Sequence, residues 1–510
     1  MCKTSVRMLT RLDSSAPMTM LRAGCVALFA CVSACGGGND GAPPSSMSAT
    51  ASTPAPNPTP LAFTPAPATA QSIDSGATGN PVSLRVARSA NGDGFAVWQA
   101  DDGTRHNLLA NRYRAAAAAW GNPTTIEASN ADIDDFDLAV DASGNAVVVW
   151  HEVSTGDPRL ERGVVMSARF DTSTGAWATP VPLNTDAAQP RVASDGTGAL
   201  LAVYVARSVV VRGRFFDPVS GAWQPEAAIE QNTTGTGFSS GPQALLDGSG
   251  NALVAFHNAR SGAGVLASNY YSRTGGGWGR LPTNETGFLG GVPGSLTLGS
   301  NGRIQLTASA DGNFMLAWNP TVVDDDPQSG QIVIASFTSR TRTWSAPQTV
   351  VPGSTQKNVQ LQRMGSAAGG SAHLLWTESD GMRTALKAIR IDGAVCNAPE
   401  EIDRAVGGGA ARADLGVDPL GHAITIWQQF EGGRPDDGSR SNVAINRFDG
   451  NASLWAGAVL AETQPGNATS PRASASGGQA LLGWIQSEGG EGGANRVKAL
   501  LKPLASTPSP

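Results

Sequence analysis

The stretch LAVDASGNAVVVW, residues 138–150, decides the fold, because it returns as ALLDGSGNALVAF at 244–256 and as LGVDPLGHAITIW at 415–427. Each copy is an apolar run, an Asp, a Gly three residues later, and a second apolar run that ends on an aromatic ring. An Asp that opens a type I turn accepts backbone N–H groups, and a glycine takes the left-handed position that closes it. Two strands joined by a tight hairpin follow from that order. With the terminal aromatic as origin, the pattern stands at Trp98, Trp150, Tyr204, Phe256, Trp318, Trp376, Trp427 and Trp484, about 55 residues apart. Six residues before each stands a glycine: Gly92, Gly144, Gly198, Gly250, Gly312, Gly370, Gly421 and Gly478.

Every copy continues in the same way. A second apolar run ends on an aromatic and often Asp, as in SARFD (167–171), GRFFD (213–217) and NRFD (446–449). A tight loop then leads to a second ring set, Trp120, Trp177, Trp223, Trp278, Trp344 and Trp455, which with the first set accounts for all 12 tryptophans. In the sixth copy Cys396 takes this second slot, where it is expected to be a buried space-filler. Four short strands in a unit of this length predict an all-β fold, an eight-bladed β-propeller with four-stranded blades packed flat against their neighbours. The last copy, from Pro471 to about Lys502, stops one strand short. TAQSIDSG (69–76) matches that missing strand, with Ile73 in the slot of Ile126 and Leu183, so the N-terminal strand is expected to complete the last blade.

Ahead of the repeats, the apolar run Ala23 to Ala34 follows Arg22 and is too short to span a bilayer. It has the size of a signal-peptide core, and Met18 or Met20 would give it an ordinary short basic leader. The run ends in Val32-Ser33-Ala34-Cys35, which resembles the lipobox of bacterial lipoproteins. The resemblance implies a lipid-modified Cys35 as mature N-terminus, with Gly36 after it favouring the outer membrane. Residues 36–66 contain GGG, PAPNPTP and TPAPA, with too little apolar surface to offset the entropy of ordering. The domain reading is therefore a signal peptide over 1–35, a tether over 36–66, the propeller over 67–504 and a short tail over 505–510.

Net charge of −6 offers no basic field for nucleic acid or an anionic membrane face. Membrane contact is expected through the lipid alone, and the chain is expected to be an exported monomer on the periplasmic or surface side. Four of the five cysteines precede residue 36, which leaves no disulfide framework for the repeats.

The innermost strand carries the one periodic pattern that packing does not explain. Thirteen residues before each aromatic, twelve in the last copy, stand Arg85, Asp137, Arg191, Gln243, Gln305, Arg363, Asp414 and Arg472. By period-2 alternation these polar side chains share one orientation and should face a central channel. Each Asp is then flanked by two guanidinium groups, and the surplus of Arg85, Arg191, Arg363 and Arg472 over two Asp would make an anion-binding floor. A second set follows the first aromatic: Gln99, His151, Glu152, His257, Asn319, Thr377, Glu378 and Gln428. The connections after it vary between copies, as in 151–163, 319–330 and 428–441, and function on a repeat scaffold sits where repeats differ. Ligand-binding candidates are thus Arg85, Arg191, Arg363, Arg472, His151, Glu152, His257, Glu378 and Gln428.

Catalytic motifs do not assemble. GFSSG (237–241) has the G-x-S-x-G spacing without a strand-to-helix elbow, the five His lack zinc spacing, and Asp324 to Asp326 read as a solvated loop rather than a calcium site. No metal or cofactor is expected. The repeats resemble sialidase-like and kelch-like propellers. They depart from the sialidase Asp-box, S-x-D-x-G-x-T-W, and lack an Arg-Ile-Pro segment, so no glycosidase residue carries over. The expected function is a non-catalytic envelope module that binds a protein or glycan. The alternative is a glycoside hydrolase or lyase acting on acidic sugars, with Glu152 or Glu378 as acid/base.

Overall fold

The computed structural model describes residues 69–127, 129–153, 163–207, 209–230, 238–259, 265–279, 303–319, 330–354, 356–393, 395–488 and 493–505. Cys35, the tether and the tail lie outside them. The described chain is an all-β, propeller-like array of antiparallel sheets, broken by two single 3-10 turns, Ala115–Ala117 and Arg404–Val406.

One repeat shows how the sequence builds a sheet. Asn80–Arg88 pairs with Gly94–Asp101, which pairs with His106–Arg114. The fourth strand comes in two pieces, Ala119–Trp120 and Thr124–Thr125, both on His106–Arg114. The hairpin turn behaves as its residues require. In the second repeat the Asp141 carboxylate accepts the backbone N–H groups of Ser143 and Asn145 at 2.9 Å, and Gly144 sits at φ +86°. All eight periodic glycines share this left-handed conformation, from +71° to +109°.

Second strands run AVVVW-like without a polar face because both faces are covered by neighbouring sheets. Trp98, Trp150, Trp318, Trp376, Trp427, Trp484 and Tyr204 are all buried to within 1%. The second tryptophans lie edge-on to a ring of the third strand, as in Phe170–Trp177 at 5.6 Å and Phe448–Trp455 at 5.4 Å. Cys396 takes the matching position opposite Ile391, half-buried rather than fully enclosed.

Seven sheets are hydrogen-bonded among the described residues. The nine-stranded one holds two repeats, because Val181–Ser194 pairs with the second repeat at Val181↔Ser167 and continues into the third at Arg191↔Val203. Innermost strands touch in cyclic order, from Asn80–Arg88 through Asp132–Val140 and onward to Ala468–Ser476, which touches Asn80–Arg88 again. Gln71–Ser72 pairs with the C-terminal strand Asn495–Pro503, and Ile73 donates its N–H to the Val497 carbonyl at 2.9 Å. The segment therefore supplies the fourth strand that the last repeat lacks. Arg88 adds stitches to the last repeat, its N–H to Ser474 and its guanidinium to Gln479, both at 2.9 Å.

Ile73 is 3% exposed among Trp98, Leu481 and Val497. Ile73→Ala should therefore cost about 2–4 kcal/mol in urea unfolding, and a loss under about 0.5 kcal/mol would show that the strand holds nothing together. A second expectation concerns His373, fully buried with its ring 4.4 Å from Phe448. Burial, helped by Arg390, pushes its pKa down to about 4. The unfolded chain then binds the proton more readily, so stability is complete above about pH 6.5 and falls by up to about 1.4 kcal/mol per unit as pH drops toward 4. His373→Leu should flatten that part of a pH–stability profile.

Candidate functional site

Seven of the innermost strands are interrupted before the periodic polar residue, and the strand of Gln305 pairs without a break. The ladder shifts register between Ala188 and Arg191, Ser240 and Gln243, Leu361 and Arg363, Ala411 and Asp414, and Thr469 and Arg472. At four of these bulges a residue takes positive φ: Gln189 at +54°, Gly241 at +59°, Arg412 at +52° and Ser470 at +52°. A bulge turns the strand and re-aims the side chain that follows. Arg85, Asp137, Arg191, Gln243, Gln305, Arg363, Asp414 and Arg472 accordingly line one cavity of about 810 Å³.

Pairing within it differs from the expected symmetrical Arg–Asp–Arg triplets. Asp137 lies 3.9 Å from Arg85 Nε, while its other oxygen accepts the N–H of Val192 in the next repeat at 3.0 Å. Arg191 turns instead to Asp135, at 2.7 Å. Asp414 repeats the arrangement, with Arg363 Nε at 2.9 Å and the Ala473 N–H at 3.0 Å. A carboxylate that reaches across to a backbone N–H is a clip between repeats, and the clip takes up the lone pairs a second guanidinium would need. Arg472 is the one displaced. It donates to the carbonyls of Leu84 and Pro471 at 2.9 Å and has no carboxylate partner among the described residues. Burial, with Arg85, Arg363 and Arg412 nearby, pushes its pKa down to about 10 despite Asp414.

Arg303 and Arg412 also line the cavity, and the sequence reading missed them. Each stands two residues before a periodic position, Gln305 or Asp414, so period-2 alternation would have put it on the same face. Neither pairs with a carboxylate among the described residues; burial and Arg412 push the Arg303 pKa down. Six Arg and two Asp line the cavity, and Asp135 on Arg191 adds a third carboxylate, so 6 − 3 leaves three positive charges. Arg303, Gln362 and Arg412 are shared with a second cavity of about 750 Å³, lined by Gln356, Lys357, Asn358, Thr377 and Ser379 among others. These three side chains form a wall common to both spaces.

The residues after the first aromatic are turned inward. His151 is 1% exposed with Nδ1 at 2.6 Å from Asp134, and Glu152 accepts the Trp150 indole N–H at 2.8 Å. Gln428 is buried and donates to Ser441 Oγ at 2.9 Å. His257 is half-buried, and burial pushes its pKa down to about 4. Glu378 accepts Lys357 Nζ at 2.5 Å and Lys387 Nζ at 3.0 Å; against the opposing effect of burial these ammonium groups hold its carboxyl below the usual range. Of this set Thr377 lines the second cavity, and Glu378 approaches it through Lys357. Of the variable connections, 154–162 and 320–329, with Asp324 to Asp326, lie outside the described residues. The connection after Phe430 brings Arg434 and Asp436 to the second cavity. Ser239 of GFSSG lies in the strand Ser239–Leu246, away from any helix. Among the described residues no His/Cys/Asp/Glu group is placed to hold a metal ion.

No family model matches the chain, and no curated protein matches it. Among solved structures it is similar to a protein of unknown function from Dyadobacter fermentans, with 9% identity over 85% of this chain and 98% of that one, TM-score 0.41. A polysaccharide lyase, an ulvan lyase, matches at 10% identity over 85% and 95%, TM-score 0.45. A NanB sialidase variant from Streptococcus pneumoniae matches at 13% over 74% and 68%, TM-score 0.35. At such identities the likeness ends at the all-β architecture.

Asp414→Ala removes both the partner of Arg363 and the acceptor for the Ala473 N–H. It should cost about 2 kcal/mol in urea unfolding, and a neutral result would show that the clip contributes nothing.

Proposed function

We propose that the chain is a non-catalytic binding module of the bacterial envelope, an eight-bladed propeller closed by the strand at Ile73. It is lipid-anchored through Cys35, probed from the outer membrane at the end of the 36–66 tether, and binds an acidic glycan in its channel. One observation carries the reading: six guanidinium groups converge on a cavity with three carboxylates, and Arg472 is left without one. Guanidinium matches the planar two-oxygen face of a carboxylate or sulfate, and a partly desolvated site strengthens that attraction.

The adjoining second cavity favours a sugar over a protein surface. Amide and hydroxyl groups of Gln356, Asn358, Gln360, Thr377 and Ser379 line it beside Arg303 and Arg412, a lining suited to hydroxyls that carry periodic charge. Volumes of about 750 and 810 Å³ are those of small-ligand sites. The hydrolase or lyase alternative is disfavoured by its own acid/base candidates, since Glu152 is buried on an indole and Glu378 is held ionised by two lysines.

Titration with oligogalacturonate and with a neutral oligosaccharide of equal length tests the proposal. The acidic chain should bind, more weakly as salt rises, and Arg472→Ala or Arg412→Ala should weaken it about tenfold, near 1.4 kcal/mol. Equal binding of the neutral chain, or indifference to both substitutions, would overturn it.

A further inference from the structure

Elsewhere in the fold, the boundary between two repeats is filled by rings. Between the first and second repeats Phe95 meets Phe170 at 5.1 Å and Trp177 at 6.0 Å. Between the sixth and seventh His373 meets Phe448 at 4.4 Å and Trp455 at 5.9 Å. The three corresponding residues between the fifth and sixth repeats are Met315, Ile391 and Cys396, since Ile391 pairs with Cys396 as Phe448 pairs with Trp455. The turn joining that pair is also two residues shorter than in the other repeats.

Among the described residues no ring takes the place of the three lost here. A cavity of about 580 Å³ opens there, lined by Met315 and Ile334 on one side, Ala372 and Gly393 on the other, and Ser345 and Gln348 at the edge. Gln348 Nε2 lies 3.7 Å from Cys396 Sγ, which sets the thiol beside the space. The cavity shares no lining residue with the channel or the groove next to it.

We propose that this cavity binds a free small molecule built on a planar aromatic ring of indole size. At two other boundaries an indole, that of Trp177 or Trp455, occupies the corresponding slot. The Met315 thioether gives it a polarisable contact of the kind sulfur makes with aromatic rings. Gln348, Ser345 and the exposed Asp311 offer acceptors to an N–H on the ring edge.

Indole and N-acetyltryptophanamide, titrated into the full chain, provide the test. Indole should bind the native protein, Cys396→Trp should abolish binding by filling the slot from within, and Cys396→Ser should leave it intact. Indole should bind more tightly than N-acetyltryptophanamide, and the reverse order would overturn the assignment to a free small molecule in favour of a protein side chain. Should Cys396→Trp fail to fold, saturating indole should slow alkylation of Cys396 in the native protein at least fivefold, read on the peptide that carries it. No indole binding at millimolar concentration, binding that survives Cys396→Trp, or an unchanged alkylation rate would overturn the proposal.

Discussion

A sheet that is apolar on both faces has no stable place in water, and the rest of this structure follows from that constraint. Strands such as Ala146–Val153 are buried along their whole length, so every sheet needs a neighbour on each side. A linear stack would leave two such faces bare. Innermost strands touching in a cycle, with Gln71–Ser72 paired to the C-terminal strand, leave none. The rings of the first aromatic set sit where this mutual covering is deepest, and burying a ring of that size is the largest single apolar gain a repeat can make.

Gathering the inner strands around an axis forces their polar side chains together. Two Asp among them spend one oxygen on a backbone N–H of the next repeat, at Val192 and at Ala473, and so tie neighbours by a charge-assisted bond. The guanidinium groups they leave behind are not spread evenly. Gln243 and Gln305 carry no charge, while Arg85, Arg363 and Arg412 crowd Arg472, each lowering its affinity for its proton. The adjoining groove shares Arg303 and Arg412 with the channel.

Repetition also makes exceptions readable. Where the other boundaries hold rings, a Met–Ile–Cys set is a defect with a location and a volume. A comparable change in a non-repeating fold would be one more core residue among many.

The sequence by itself determined the strand order, the left-handed glycine in each hairpin, the buried first aromatics, the closing strand at Ile73 and the eight polar inner positions. These are properties of period and of local turn chemistry, which a chain carries from residue to residue. Only the tertiary structure decided which Arg meets which Asp, that Arg303 and Arg412 join the cavity, and that His151, Glu152 and Gln428 turn inward. The bulges before the inner residues rotate side chains by amounts the period does not encode. Partners such as Asp414 and Ala473 lie 59 residues apart and meet because the ring brings one repeat against the next.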